Sequence, residues 1–115
     1  MTKILIADDE SVICDLIKLF LEGKGFQVSV ASSGKEAIRL FNSERPNIMI
    51  LDIGLPDMDG LELLSKVKTA SPDTKVIVTT GYSNTEIQQK AFSLGASNYL
   101  TKPFDIHDLL RIASH

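Results

Sequence analysis

The sequence predicts an α/β fold, a doubly wound (βα)5 domain on a five-stranded parallel sheet with strand order 2-1-3-4-5. Three observations lead there. Short apolar runs alternate with helically spaced apolar residues along the whole of the 115 residues. Turn and capping residues punctuate nearly every junction. Right-handed crossovers cover both faces of a parallel sheet only if the strand order reverses once, and the second run has the character of an edge strand.

Residues 3–7 (KILIA) form a run fit for a buried strand. Val12, Ile13, Leu16, Ile17, Phe20 and Leu21 follow at helical spacing, and Gly23 and Gly25 stop that helix. Residues 26–31 (FQVSVA) alternate apolar and polar, as a half-exposed edge strand does. Ser33 with Glu36 is a capping box, and Ala37, Ile38, Leu40 and Phe41 give its helix an inner face that ends before Pro46. Residues 47–52 (NIMILD) are a third strand, followed by a loop, 53–59, rich in Gly, Pro and Asp. Asp59 with Glu62 caps a helix expected to bury Leu61, Leu64 and Val67, and Ser71-Pro72 breaks it. Residues 75–80 (KVIVTT) are the fourth strand. A capping box of Ser83 and Glu86 opens a helix with Ile87, Ala91, Phe92 and Leu94 inward and Gly95 as its C-cap. Residues 97–101 (SNYLT) are a shorter fifth strand, and Asp105 caps a last helix with Ile106, Leu109, Leu110 and Ala113 inward.

Composition narrows the functions. A chain of 115 residues with 43% hydrophobic content makes one domain with one core. No apolar stretch approaches the roughly 20 residues of a membrane span. The N-terminus runs from Met1-Thr2-Lys3 into an apolar run that ends in acids, which is no cleavable leader. A net charge of −3 argues against nucleic-acid binding by this domain. Cys14 is the sole cysteine, so no internal disulfide forms and a reducing cytoplasm fits; it reads as a packed bystander.

In such sheets ligands bind beyond the carboxyl ends of the strands, near the reversal between strands one and three. Strand one is followed by Asp8, Asp9 and Glu10; strand three ends in Asp52, strand four in Thr79 and Thr80, and strand five leads to Lys102 and Pro103. Each residue alone is ordinary: an acid capping a helix, a loop acid, a strand-ending threonine, an exposed lysine. Together they put the carboxylates of Asp8, Asp9 and Asp52 at one edge, flanked by a hydroxyl and an ammonium. Crowded carboxylates raise one another's pKa unless a cation neutralises them. An all-oxygen set suits Mg²⁺, with Mn²⁺ as a substitute. His107 and His115 lie away from this edge, so zinc is disfavoured. Mg²⁺ among acids beside a Lys and a Thr is equipment for phosphoryl transfer, with a carboxylate as nucleophile. No Walker A sequence or G-x-G-x-x-G is present for a nucleotide.

KILIADDE, ILDIGLPDMDGLELL, VIVTTGYS and GASNYLTKPF, in this order and at these separations, resemble the receiver domain of two-component response regulators, a flavodoxin-like fold. The resemblance covers nearly the whole chain. It implies Asp52 as phosphoacceptor, Asp8, Asp9 and Asp52 as metal ligands with the Gly54 carbonyl, and Lys102 and Thr80 as partners of the phosphoryl group. It also implies Tyr99 as the aromatic that follows Thr80, a cis peptide at Lys102-Pro103, and Gly60 as a turn glycine. Gly54 and Tyr82 are less typical of the family and are expected to set how long the phosphoryl group lasts.

The function expected from this is a switch, not a turnover enzyme. A sensor histidine kinase, a phosphotransfer protein or a small phosphodonor loads Asp52, and the face of the fourth helix, fifth strand and fifth helix changes. That face would meet a downstream target, a covalently linked output domain, or a second copy in a phosphorylation-dependent homodimer. A phosphorylation-independent interaction domain is the main alternative. An Asp-nucleophile phosphatase or mutase would want a second Asp where Gly54 stands. A flavin carrier would want a phosphate-friendly loop where Asp8-Asp9-Glu10 stands. The last helix runs only about three turns to His115, so the chain is a free-standing receiver or one cut from a longer protein.

Overall fold

The computed structural model describes residues 1–82 and 84–115. Among them, strands and helices alternate from end to end: β1 (Lys3–Ala7), α1 (Ser11–Gly23), β2 (Gln27–Ala31), α2 (Gly34–Glu44), β3 (Ile48–Asp52), α3 (Gly60–Ala70), β4 (Lys75–Thr80), α4 (Thr85–Ser93), β5 (Asn98–Thr101) and α5 (Ile106–Ala113). All pairings are parallel and the order is β2-β1-β3-β4-β5, as expected. The reversal falls at β1 and β3, which lie side by side with Ala7 opposite Leu51.

Side-chain alternation along the strands sorts the core into two layers. Ile4, Ile6, Ile48, Ile50 and Ile77 pack with Cys14, Ile17, Leu21, Leu109 and Ala113 of α1 and α5. Leu5, Ala7, Met49, Leu51, Val76 and Val78 pack with Ala37, Phe41, Leu63, Leu64, Val67 and Ala91 of α2, α3 and α4. Both faces of β1, β3 and β4 are therefore apolar, which is why these strands read as continuous runs.

The helix caps follow their side chains. Ser33 accepts from Glu36 N (3.1 Å), while Glu36 accepts from Ser32 N (2.9 Å), one residue earlier than an ideal box. Asp59 accepts from Leu61 N and Asp105 from His107 N. Each such cap contributes about 1 kcal/mol. The expected cap Ser83 lies outside the described residues; Asn84 is the N-cap of α4, accepting from Ile87 N at 2.8 Å. Gly95 takes φ +109° just past α4, where a Cβ would be strained.

Buried faces were less legible than elements. In α3, Leu63 is fully buried and Leu61 only half-buried, because the face turned to β3 is centred on Leu63, Leu64 and Val67. In α1 the buried positions are Cys14, Ile17 and Leu21, while Val12, Ile13 and Leu16 are exposed together with Leu19. The apolar stripe of α1 is wider than the surface the sheet offers. Phe92 of α4 is also exposed, leaving Ala91 as the buried residue of that helix.

Candidate functional site at the carboxyl edge of the sheet

Asp52 closes β3, opposite Thr79 of β4, and is buried. Its side chain is held from two sides. Oδ1 accepts from Gly54 N at 2.8 Å, and Oδ2 accepts from Lys102 Nζ at 2.8 Å. Asp8 leaves β1 on the same side of the sheet as Ile4 and Ile6, and it too is buried. Lys102 arrives from β5, whose end is tied to β4 by Lys102 N donating to Thr80 O at 2.8 Å. Its ammonium also donates to Asp8 Oδ2 (2.8 Å) and Glu10 Oε1 (2.6 Å). The peptide between Lys102 and Pro103 is cis.

Three carboxylates thus surround one ammonium. Burial works to lower the Lys102 pKa, but hydrogen bonds to Asp52, Asp8 and Glu10 outweigh it and hold the group above its usual value. Asp8 moves the other way from a paired acid. Burial pushes its carboxyl up, with the nearby Asp52 charge adding, against hydrogen bonds from Lys102 and the Glu10 amide. The two shifts differ in cause: burial dominates at Asp8, and hydrogen bonds to carboxylates dominate at Lys102. The thiol of Cys14 is pushed up to about 12 by burial and then by Asp8, and donates to Asp8 O at 3.4 Å, so it is inert.

The oxygens of Asp8, Glu10 and Asp52 lie within 4.8 Å of one another. This all-oxygen donor set, with excess negative charge, fits a hard divalent cation. Of the expected ligands, Asp8 and Asp52 are in this group; Asp9 is exposed beside it, and Glu10 joins it. Glu10 N donates to Asp8 Oδ1 at 2.9 Å across the bend at Asp9, and Lys102 Nζ bonds to both carboxylates, which brings residues 8 and 10 together.

Thr80 is buried, and its hydroxyl is engaged in its own loop, donating to Tyr82 O (2.7 Å) and accepting from Tyr82 N (3.1 Å). Tyr82 itself is exposed. Tyr99 is half-buried, its ring 6.3 Å from that of Phe92. At Gly54 a Cβ would stand 3.3 Å from Asp52 Oδ1, so glycine leaves that oxygen uncrowded. At Gly60 a Cβ would run into the Ile53 backbone, which accounts for glycine at the turn.

Residues 4–114 match the response regulator receiver domain. The chain belongs to that family. It is 36% identical over 107 residues to sporulation initiation phosphotransferase F of Bacillus subtilis, covering 93% of this chain and 86% of that protein. To the transcriptional regulatory protein TrcR of Mycobacterium tuberculosis it is 36% identical over 108 residues, 94% of this chain but 42% of the relative. The receiver thus spans most of one relative and under half of the other. A CheY-like receiver domain protein from Methanospirillum hungatei superposes with TM-score 0.95 at 37% identity, covering 99% of this chain and 91% of that one. A Burkholderia pseudomallei response regulator, whose crystal structure holds a phosphorylated aspartic acid, a calcium ion and citrate, superposes with TM-score 0.91 at 30% identity, over 99% of this chain and 69% of that one. The receiver is therefore of the kind used in two-component signalling.

Proposed function

We propose that this receiver takes a phosphoryl group onto an Asp52 carboxylate oxygen and that the new charge switches its surface. The observation that carries the reading is Asp52 itself: a buried carboxylate at the sheet reversal, held by Gly54 N and Lys102 and faced by Asp8 and Glu10. Mg²⁺ would be held by Asp8 and Asp52, with Glu10, Asp9 and the Gly54 carbonyl as further donors. When bound it supplies positive charge to balance the oxygens in transfer.

An Asp52 oxygen forms the bond to phosphorus while the bond from phosphorus to the donor breaks, the electron pair leaving with the donor's histidine nitrogen or acetate oxygen. The product is an acyl phosphate carrying about −1.5 to −2 charge. Lys102, already charged and within reach, pairs with the phosphoryl oxygens. Thr80 leaves its loop contacts with Tyr82 to hydrogen-bond the same group, and Tyr99 follows, shifting the α4-β5-α5 face between two packings. Gly54 and Tyr82 flank the route of the hydrolytic water and set the lifetime.

The phosphodonor protein, a sensor kinase or phosphotransfer protein, is matched to an apolar groove beside the site. Ile13 and Leu16 of α1 and Pro103, Phe104 and Ile106 line it, with Glu10 and Lys102 at its rim. The module acts as a switch in the cytoplasm, where the free buried Cys14 stays reduced, alone or joined to an output domain. Among the described residues no helix is long and apolar enough to cross a membrane.

Incubation with acetyl phosphate and Mg²⁺, followed by intact mass, tests the reading. One added phosphoryl group that requires the metal and disappears in Asp52→Asn is expected. No gain, or an undiminished gain in Asp52→Asn, would overturn it. In the same assay Tyr82→Ala is expected to change the decay of the phosphorylated form, and an unchanged decay rejects its role in lifetime.

A further inference from the structure

Asp57 lies at the tip of the loop between β3 and α3, exposed to solvent. An exposed acid is ordinarily free to move, yet this one is bound through both oxygens to a distant element. Oδ1 accepts from Gly34 N at 2.7 Å and Oδ2 from Lys35 N at 3.0 Å, the first two amides of α2, more than twenty residues away. Amides at a helix start have no partner within the helix. Ser33 fills the third, at Glu36, so Asp57 completes the set. The bonds are charge-assisted and lie at the positive end of the helix dipole. Backbone bonds from Gly34 and Lys35 hold the Asp57 carboxyl below its ordinary range, consistent with its ionised form being the bound one.

The neighbouring contact has the same sense. Gly34 is buried under Met58, and a Cβ at 34 would collide with the Met58 side chain. The loop is otherwise pinned nearer the site: Leu55 enters the core, Gly54 N binds Asp52, and Gly60 backs onto Ile53. Asp57 and Met58 add the anchor at the exposed tip. Gly54, three residues earlier, both orients Asp52 and carries the carbonyl that the proposed cation would use.

We infer that Asp57 is a positioning residue, a latch that ties the loop carrying Gly54 to the start of α2 and so presets the cation site around Asp52. The inference rests on the reading of that site as a cation-dependent phosphoacceptor. The latch touches neither cation nor phosphoryl group; it acts by removing freedom from the loop before the cation arrives. Losing it costs cation affinity, since the loop must then be ordered on binding, and leaves the transfer rate intact once the cation is bound.

Titration calorimetry with Mg²⁺ alone, on the whole chain, tests this beside acetyl-phosphate labelling rates at saturating Mg²⁺. Supporting interactions around metal sites are worth about tenfold in affinity at their lower end. Asp57→Ala is expected to raise the Mg²⁺ Kd by about that factor with the saturated rate unchanged. Asp57→Asn, which keeps one accepting oxygen, should fall between, and Lys35→Ala, which keeps its amide, should match the parent. Equal Mg²⁺ affinity in Asp57→Ala and the parent, with only the melting temperature lowered, makes Asp57 a helix cap and overturns the inference alone. A parent chain that binds no Mg²⁺ overturns the site reading as well.

Discussion

Lys102 carries the electrostatics of the site, and its neighbours explain why one substitution there should act on stability and on the metal together. It is the shared cation for Asp8, Glu10 and Asp52, with a side chain 16% exposed. Replacing it by Met keeps much of the stem but leaves buried carboxylates unpaired. Hydrogen bonds to charged groups are worth about 1.5–3 kcal/mol each, with non-additivity expected in a shared cluster. Lys102→Met should therefore lower stability by about 2 kcal/mol without divalent cation, and millimolar Mg²⁺ should recover most of it. Denaturant melts with Mg²⁺ and with EDTA check this; a loss that Mg²⁺ does not reduce would count against a cation site here. Asp8, Asp52 and Lys102 were legible as single residues because each ends or directly follows a strand. Glu10 is brought in by the bend at Asp9, and Asp57 had no local signal, since its partners Gly34 and Lys35 open α2, more than twenty residues away.

Among the elements, strand positions came from the sequence to within a residue because buried parallel strands are apolar on both faces. Helix positions came nearly as readily where capping residues mark the starts, as at Ser33, Asp59 and Asp105, whereas α1 has no side-chain cap and α4 is capped by Asn84. Which helical residues are buried did not, because that depends on where the sheet ends beneath them. The case that matters is α1, whose exposed Val12, Ile13, Leu16 and Leu19 outnumber what a solvated helix needs. If the groove beside Lys102 receives the phosphodonor protein, Leu16→Ser should slow phosphotransfer from that protein about tenfold, the value of about 1.4 kcal/mol of lost apolar contact. Labelling by acetyl phosphate, which needs no groove, should be unaffected. Equal slowing with both donors would mean the substitution disturbs the site and not the docking surface.

For the whole molecule, the sheet order does the gathering. Because β1 and β3 are neighbours at the reversal, Asp8 and Asp52 meet although 44 positions separate them, and β5 adds Lys102 from the far side. The expected order 2-1-3-4-5 was legible from alternation, handedness, the order common to such sheets and the edge character of the second strand, whereas the resting state of the switch was not. Thr80 bound to Tyr82 and Tyr99 near Phe92 are tertiary facts. The helix that would respond, α4, is held in the core by Ala91 and leaves Phe92 exposed, so it has little packing to break. The proposed switch depends on the phosphoryl group residing on the Asp52 side chain. Borohydride reduction of freshly phosphorylated protein converts an aspartyl phosphate to homoserine, and peptide mass spectrometry then locates it. Homoserine is expected at position 52, formed only when Mg²⁺ and the phosphodonor were both present; homoserine at position 8 or 9, or at none, would contradict phosphorylation of Asp52.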